Sequence, residues 1–229
     1  MEGDERTMGL PNRTILDQEE NELRDNILRM SDLADKAIER CIQSLRTQNI
    51  DLARQVIADD QKINDLRYVV EEEAYKVLAL QAPAARDMRK VVVAIHIAVE
   101  LERMADHAAG IAKLCVELAK ESPLKPFVDI PRMAEISREM LRDGIKAYMD
   151  ADTELAAKIV ERDNEVDELD KQVYRELLTF MLQDARNINR ATYLLWVSHN
   201  MERIADRITN ICERVMFMVT GNVRQNEED

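Results

Sequence analysis

The sequence contains few glycines, few prolines and few aromatic residues. Its 229 residues include five glycines and five prolines, and aromatic residues make up 4%. These counts are below ordinary usage, whereas the hydrophobic share of 46% is normal. The core must therefore consist mostly of Leu, Ile, Val, Ala and Met, which is the composition of an all-α bundle.

Cysteine is also scarce, and the three cysteines lie far apart. Cys41, Cys115 and Cys212 show no CxxC spacing, and each falls inside a helical pattern. This arrangement is typical of buried, reduced thiols rather than of a disulfide framework or a zinc site. It predicts a cytoplasmic protein.

The sequence also lacks an excess of positive charge and a long apolar run. It has 32 Lys and Arg against 45 Asp and Glu, a net charge of -13, so its surface would repel nucleic acid or an anionic membrane. The longest apolar run, Val91 to Val99, is interrupted by His96 and is too short to span a bilayer. We expect a soluble chain without a nucleic-acid partner that reaches a membrane only through another protein.

Apolar residues recur at every third and fourth position in six segments, which predicts six amphipathic helices. Their approximate ranges are 16–45, 52–80, 85–119, 132–149, 153–181 and 188–219. Pro123, Pro126 and Pro131 fall together and indicate a boundary between two halves. We predict an all-α fold of two tandem three-helix bundles, residues 14–122 and 127–221, related by a pseudo-twofold internal repeat, with flexible tails at 1–13 and 222–229.

Two pairs of acidic residues interrupt the apolar faces of helices. Glu102 and Asp106 lie one turn apart within the apolar arc of the third helix, and Glu202 and Asp206 do the same in the sixth, 100 residues later. This recurrence indicates two copies of one unit. A carboxylate on an inward face is costly unless it is paired, hydrogen-bonded or bound to a cation.

The middle helix of each copy offers matching polar residues, Asp60 and Asn64 in the first and Asp163 and Asp167 in the second. Counting residues from the intervening turn places Asp60 level with Asp106 in an antiparallel hairpin. Facing carboxylates form an oxygen-rich cluster that suits Mg, Mn, Fe(III) or Ca, and zinc less well. The pattern therefore predicts a cation site in each copy.

One alternative to a cation site remains open for these acids, and a second is not supported by the sequence. Arg103, Arg203 and neighbouring bases could neutralise them in structural salt bridges. A ferritin-like di-iron enzyme would need Glu-x-x-His pairs, and no Glu lies three residues before His96, His107 or His199. An oxygen-activating centre is therefore not expected, although His107 lies beside the first acidic pair and could approach a bound metal.

No other catalytic pattern is present in the sequence. It contains no glycine-rich phosphate loop, no GxSxG and no cysteine with a plausible histidine partner. Catalysis would therefore have to come from the carboxylates alone.

Two stretches of the sequence resemble the PhoU family. APAARDMRKVVVAIHIAVELERMADHAAGIAK is similar to the family's P-x-A-x-D-L-R segment followed by its L-E-R-I-G-D motif, and NMERIADRITNICE is similar to its second copy. The resemblance runs from about residue 20 to residue 221. Met88 replaces the leucine of D-L-R, Ala105 and Ala205 replace the glycine before the aspartate, and Asn64 replaces an acidic residue, which weakens the first copy's metal site.

This resemblance implies a regulator rather than an enzyme. A PhoU-like protein is a negative regulator of the phosphate regulon and a modulator of phosphate transport. It couples the ATPase subunit of a phosphate ABC transporter (PstB-like) to a sensor histidine kinase (PhoR-like). The implied location is cytoplasmic, at the inner face of the membrane through those partners, and the implied assembly is a homodimer.

The resemblance also implies metal clusters on E/D-x-x-x-D motifs, with iron, or Mn, Mg, Zn or Ni, as the bound metal. No catalytic residue and no other cofactor is implied. Carried over residue by residue, the implied ligands are Asp60, Glu102, Asp106, Asp163, Asp167, Glu202 and Asp206. Two other functions compete with this one: a helical scaffold without metal, and a metal-dependent phosphohydrolase.

Overall fold

The computed structural model describes residues 10–222, with side chains from Ile15 onward. These residues form six α-helices, a short 3₁₀ helix at Ala185–Asn187 and no strand. The α-helices are α1 Leu10–Thr47, α2 Ile50–Gln81, α3 Ala85–Leu118, α4 Asp129–Asp150, α5 Thr153–Gln183 and α6 Ile188–Thr220. The predicted fold of two tandem three-helix bundles is confirmed. Within residues 10–222, no helix combines the length and apolar character that a bilayer crossing requires.

Two helices begin earlier than the sequence predicted, each with a proline in its first turn. Helix α1 begins at Leu10 and α4 at Asp129. Pro11 and Pro131 cost no helical hydrogen bond there, because the first N–H groups of a helix have no partner within it. The sequence placed residues 1–13 in a tail, whereas residues 10–13 lie in α1. Residues 1–9 and 223–229 lie outside the described part of the chain.

In each bundle, the loop between the first two helices ends in a residue that caps the second helix. Asn49 Oδ1 accepts the backbone N–H of Leu52 at 3.0 Å and caps α2. Asp152, 103 residues later, accepts the N–H of Leu155 at 2.9 Å and caps α5. A side-chain acceptor at the N-cap satisfies a donor that the helix leaves free. The repeat therefore extends to the hairpin that aligns the first two helices of each bundle.

Helices α3 and α6 lie side by side at the centre of the molecule, and each also packs against the other two helices of its own bundle. Because α3 has neighbours on several sides, its buried residues surround most of its circumference. Ile97, Leu101, Met104 and Ile111 are fully buried in one core that extends through both bundles. The central helices therefore hold the two bundles in a fixed relation.

Polar contacts between α3 and α6 follow the internal repeat. Arg207 Nη1 and Asn210 Nδ2 both approach Glu100 Oε2, at 3.4 and 3.3 Å. At the equivalent position His107 Nδ1 lies 2.9 Å from Asn200 Oδ1. Because α3 and α6 run antiparallel through these contacts, both acidic pairs predicted from the sequence lie at the same height, one beside α2 and the other beside α5.

The three cysteines are buried and unbridged, as the sequence predicted. Burial raises the pKa of Cys115 to about 11 and that of Cys212 to about 12. Burial also raises the pKa of Cys41, beside which Cys115 lies. Thiols with such pKa values stay protonated at neutral pH and behave as small core residues.

Candidate functional site

The first carboxylate cluster consists of Asp60 on α2 with Glu102 and Asp106 on α3. Burial raises the pKa of Asp60, and the neighbouring charge of Asp106 raises it further. Burial also raises the pKa of Glu102, with Asp106 and Asp60 adding to the increase and Arg67 opposing it. Like charges have this effect only at short range. The antiparallel hairpin therefore brings these acids together at the level that counting from the turn predicted.

The acids are less buried than the sequence predicted. Asp106 is exposed, and Glu102, Glu202 and Asp206 are half-buried. They lie at the margin of the apolar stripe, next to fully buried residues such as Leu101. The sequence therefore overestimated how deeply these carboxylates are buried. A helical wheel gives the direction of a side chain and not the distance to the neighbouring helix.

The second carboxylate cluster consists of Asp163, Asp167 and Asp170 on α5 with Glu202 and Asp206 on α6. Burial raises the pKa of Asp163 to about 7, with contributions from Asp167, Asp206 and Glu202. Burial also raises the pKa of Glu202, and the charges of Asp206 and Asp170 add to the effect. Mutual repulsion among partly desolvated acids favours either a proton or a cation in their midst.

Asp170 was not predicted from the sequence as a member of the site. It contributes to the raised pKa of Glu202, and its Oδ1 accepts a 2.6 Å hydrogen bond from the buried Ser198 hydroxyl. Asp170 lies three residues after Asp167 and therefore on the same side of α5. That spacing was the available signal.

The two clusters differ in charge at equivalent positions. Asn64 and Arg67 in the first bundle occupy the places of Asp167 and Asp170 in the second. Arg67 lowers the pKa of Glu102 and also donates to Glu71 Oε1 at 2.6 Å. The first cluster is therefore partly neutralised by its own bundle, whereas the second concentrates five acids.

Arginine and histidine satisfy part of the second cluster, as the salt-bridge alternative requires. Arg203 Nη1 lies 3.1 Å from Asp206 Oδ2, and Arg203 Nε lies 3.6 Å from Glu202 Oε2. His199 Nδ1 lies 3.3 Å from the same glutamate oxygen. Arg203 is 43% exposed, so these contacts are weakened by solvent.

Three carboxylate oxygens in the clusters have no hydrogen-bond donor. Asp60 Oδ1 and Asp163 Oδ1 are buried without a partner, and Glu202 Oε2 is buried with no hydrogen bond beyond its contacts to His199 and Arg203. Such oxygens are the ligands that Mg²⁺, Mn²⁺ and Fe³⁺ prefer. Among the described residues, however, no group of three or more acids, histidines or cysteines is already arranged around one point. The carboxylate oxygens are therefore of the type that a hard cation prefers. Side chains would have to rotate to bring three or more of them to one point.

The histidine predicted near the first cluster faces the other way. Asn200 Nδ2 donates to the Trp196 carbonyl oxygen at 2.7 Å, which fixes the amide and turns its Oδ1 toward His107. His107 Nδ1 therefore carries the proton of that bond. The ring joins α3 to α6 and has a structural partner of its own.

Comparison with known proteins decides the family. The family model of the PhoU domain matches residues 27–115 and 130–215, which covers both bundles. This chain belongs to the PhoU family. The prediction made from the doubled ER-x-x-D sequence is confirmed.

Relatives in the PhoU family match along nearly their whole length. The phosphate-specific transport system accessory protein PhoU homolog of Aquifex aeolicus is 38% identical over 210 residues, which is 92% of this chain and 95% of that protein. The homolog of the same name in Clostridium acetobutylicum is 33% identical over 210 residues, covering 91% of this chain and 96% of that protein.

Two solved PhoU structures share the fold. The crystal structure of PhoU from Pseudomonas aeruginosa has a TM-score of 0.86 and 29% identity, covering 90% of this chain and 99% of that one. The phosphate transport system regulatory protein PhoU from Streptococcus pneumoniae has a TM-score of 0.86 and 28% identity, covering 92% and 100%. The PhoU-family architecture therefore extends over both bundles.

Proposed function

We propose that this protein represses the phosphate regulon when phosphate is plentiful, by linking a phosphate ABC transporter to a sensor histidine kinase. The observation that carries the proposal is the match to proteins named as accessory to the phosphate-specific transport system, over 92% of this chain and 95% of the Aquifex aeolicus protein. Both bundles are included in that match, so the proposal concerns the whole chain rather than one bundle.

The proposed partners are the transporter's ATPase subunit and the kinase, and the proposed place of action is the cytoplasmic face of the membrane, reached through them. The pseudo-twofold repeat supports this assignment, because it gives the molecule two similar surfaces that differ in detail. The first cluster carries Asn64 and Arg67 where the second carries Asp167 and Asp170. Two related but unequal surfaces suit two different partners. We also propose that the protein acts as a homodimer.

The genetic test is deletion of the gene in its host, with alkaline phosphatase measured in high phosphate. We expect the deletion to derepress the enzyme and the wild-type gene to restore repression. Continued repression in the deletion strain, after any second copy of the gene has been removed, would contradict the proposal.

We propose further that the second carboxylate cluster holds a cation, and the first cluster holds one more weakly. Asp163 and Glu202 each present a buried oxygen without a donor, and a cation would relieve the repulsion that raises their pKa values. The ligands would be Asp163, Asp167, Glu202 and Asp206, assisted by Asp170. A bound divalent or trivalent ion would supply positive charge and open coordination positions there.

The first cluster has fewer donors and more bases. Asp60, Glu102 and Asp106 would be its ligands, and Arg67 competes for Glu102. Titration of metal-free protein with Mn²⁺ should therefore show a tighter and a weaker class of site. Substituting Asp167 by Asn and Asp170 by Arg gives the second bundle the first bundle's residues, and should remove the difference. Two equal classes in the wild-type protein would contradict this asymmetry.

A metal-dependent phosphohydrolase is the second candidate. One observation favours it: a carboxyl with a pKa of about 7, that of Asp163, suits general acid–base work at neutral pH. The test is turnover of p-nitrophenyl phosphate and polyphosphate by Mn²⁺-loaded protein, with Asp163→Asn as the comparison. Turnover that this substitution abolishes would establish an enzyme. The regulatory proposal expects no difference from background.

A further inference from the structure

A cavity of about 90 Å³ lies where the first part of α1 meets the beginning of α3 and the ends of α4 and α6. Its walls combine basic side chains with apolar ones. Its lining includes the bases Arg24, Arg86 and Lys90, the acid Glu20, and the less polar residues Tyr148, Met218 and Val219. We name it the basic cavity.

The internal repeat places an equivalent cavity at the other end of the molecule, with a volume of only about 10 Å³. Both are built from the same positions in the two copies. Equivalent lining residues are Leu45 and Tyr148, Leu118 and Met218, Ala119 and Val219, and Arg190 and Lys90. The cavity is therefore nearly filled at one end of the molecule and open at the other.

The smaller cavity is filled by the chain that leaves α3. Ser122, Pro123, Leu124 and Phe127 line it as the chain runs on toward α4. Arg190 Nη1 donates to the Ser122 carbonyl oxygen at 3.1 Å. A loop segment is therefore held there by apolar contacts and by a basic side chain that binds its backbone.

The chain leaves α6 at Gly221. Gly221 adopts a left-handed conformation, with φ of 76°, and its N–H donates to the Phe217 carbonyl oxygen at 2.8 Å. Its α-carbon faces the Arg89 guanidinium closely enough that a β-carbon would lie 3.4 Å from Nη1. Arg89 Nε also donates to the Met218 carbonyl oxygen at 3.3 Å. Because Met218 and Val219 line the basic cavity, the described part of the chain ends a few residues after that cavity.

Two side chains of the basic cavity are available to bind a peptide. Glu20, which also lines the cavity, has a buried Oε1 without a hydrogen-bond donor. Arg86 is exposed and makes no hydrogen bond or ion pair with any described residue. A peptide segment carries backbone N–H groups for the first and can carry carboxylates for the second.

We propose that the basic cavity is the docking site of the segment that follows α6, residues 223–229. This segment, VRQNEED, begins with one apolar side chain, Val223, and ends with Glu227, Glu228 and Asp229. Its net charge is negative and complements Arg86, the exposed base that lines the cavity. Val223 follows closely on Val219, which already lines the cavity.

A free small anion fits the basic cavity less well than this segment. Arg24 already donates to the Met149 carbonyl oxygen, and Lys90 pairs with Glu20 at 2.8 Å and Asp87 at 2.9 Å. A phosphate ion would also meet the unpartnered oxygen of Glu20 and repel it. A peptide avoids this repulsion by presenting donors and acceptors at different points.

The test is hydrogen–deuterium exchange of the full chain, followed by mass spectrometry of fragments from the start of α3, the end of α4 and residues 223–229. The test variant carries Glu227→Gln, Glu228→Gln and Asp229→Asn. The matched control neutralises three exposed carboxylates of α5 instead, at Glu154, Glu161 and Glu165. We expect the test variant alone to exchange about two- to fivefold faster at all three fragments, the factor expected for lost surface ion pairs.

A charge exchange gives a second and independent readout. Arg86→Glu should accelerate exchange as the test variant does, and combining it with Glu227→Lys and Glu228→Lys should restore the wild-type rate. Unchanged exchange in both the test variant and Arg86→Glu would overturn the proposal.

Two further outcomes would assign the cavity to another occupant and also overturn the proposal. Protection that rises with protein concentration would indicate the segment of a second copy. Slower exchange at the start of α3 on adding inorganic phosphate to the neutralised variant, with residues 223–229 unprotected throughout, would indicate a free anion.

Discussion

Replacing Asp163 by Asn should stabilise the metal-free protein at alkaline pH. Burial raises the pKa of Asp163 from 3.8 to about 7 in the folded chain, so the folded state holds this proton more tightly than the unfolded state does. The stability that the carboxyl contributes is therefore greatest at low pH and is lost as the pH rises through about 7. Asparagine keeps the shape of the side chain and removes the charge.

The magnitude follows from the shift and the exposure. A change from 3.8 to about 7 corresponds to about 4 kcal/mol at about 1.4 kcal/mol per unit. Asp163 is only half-buried, so screening by water and salt reduces the expected gain to about 1–2 kcal/mol. For a chain of this length, that gain raises Tm by about 2–8 °C.

The assay is urea unfolding followed by circular dichroism in the presence of a chelator, repeated across the range from about pH 4 to about pH 9. Glu161→Gln is the matched control, because it removes one charge from an exposed position of the same helix. The difference in the free energy of unfolding between Asp163→Asn and wild type should grow with pH and vanish near about pH 4. The control should show no such trend.

Addition of Mn²⁺ should make the wild-type protein more stable than the Asp163→Asn variant. Binding to the folded state stabilises the wild-type protein by mass action, and the variant has lost a ligand. A stability difference that does not depend on pH, or a loss of stability at alkaline pH, would refute the reasoning about Asp163.

Three other substitutions test the fold that positions the clusters. Arg207→Met leaves Glu100 without a cation between α3 and α6 and should lower the free energy of unfolding by about 1–3 kcal/mol; in a double-mutant cycle with Glu100→Gln the two losses should not add. Leu101→Ala, in the fully buried core of α3, should cost about 2–5 kcal/mol in denaturant unfolding. Asp152→Ala removes the cap of α5 and should cost about 0.5–2 kcal/mol, whereas Asp152→Asn should retain most of the stability.

The sequence predicted the helices well, because long amphipathic segments have a clear period. The errors came at two prolines. Pro11 and Pro131 read as breaks, whereas each lies in the first turn of a helix, where proline is accepted. Local sequence cannot distinguish a proline before a helix from one inside its first turn.

The candidate site was predicted in outline by counting residues from the turns. Counting placed Asp60 level with Asp106, because the rise per residue in a helix is fixed. It did not give the depth of burial, which depends on how closely neighbouring helices approach. Asp170 was missed because it has no acidic counterpart in the first bundle, where Arg67 lies.

Contacts between the bundles were beyond prediction from the sequence. The pairing of Glu100 with Arg207 and of His107 with Asn200 depends on the antiparallel crossing of α3 and α6. Each residue alone reads as an ordinary polar position on a helix. Only the folded arrangement shows that the internal repeat makes these contacts equivalent.

The measurement that tests the central claim most directly is elemental analysis of protein purified without an affinity tag. Wild-type protein is compared with Glu202→Ala/Asp206→Ala and with Glu102→Ala/Asp106→Ala, after circular dichroism has shown equal helicity. We predict bound iron, manganese or another hard cation in the wild type, its loss from the second-cluster variant and a smaller loss from the first. Equal metal content in all three proteins, or none after incubation with each ion, would contradict the claim that these carboxylates are metal ligands.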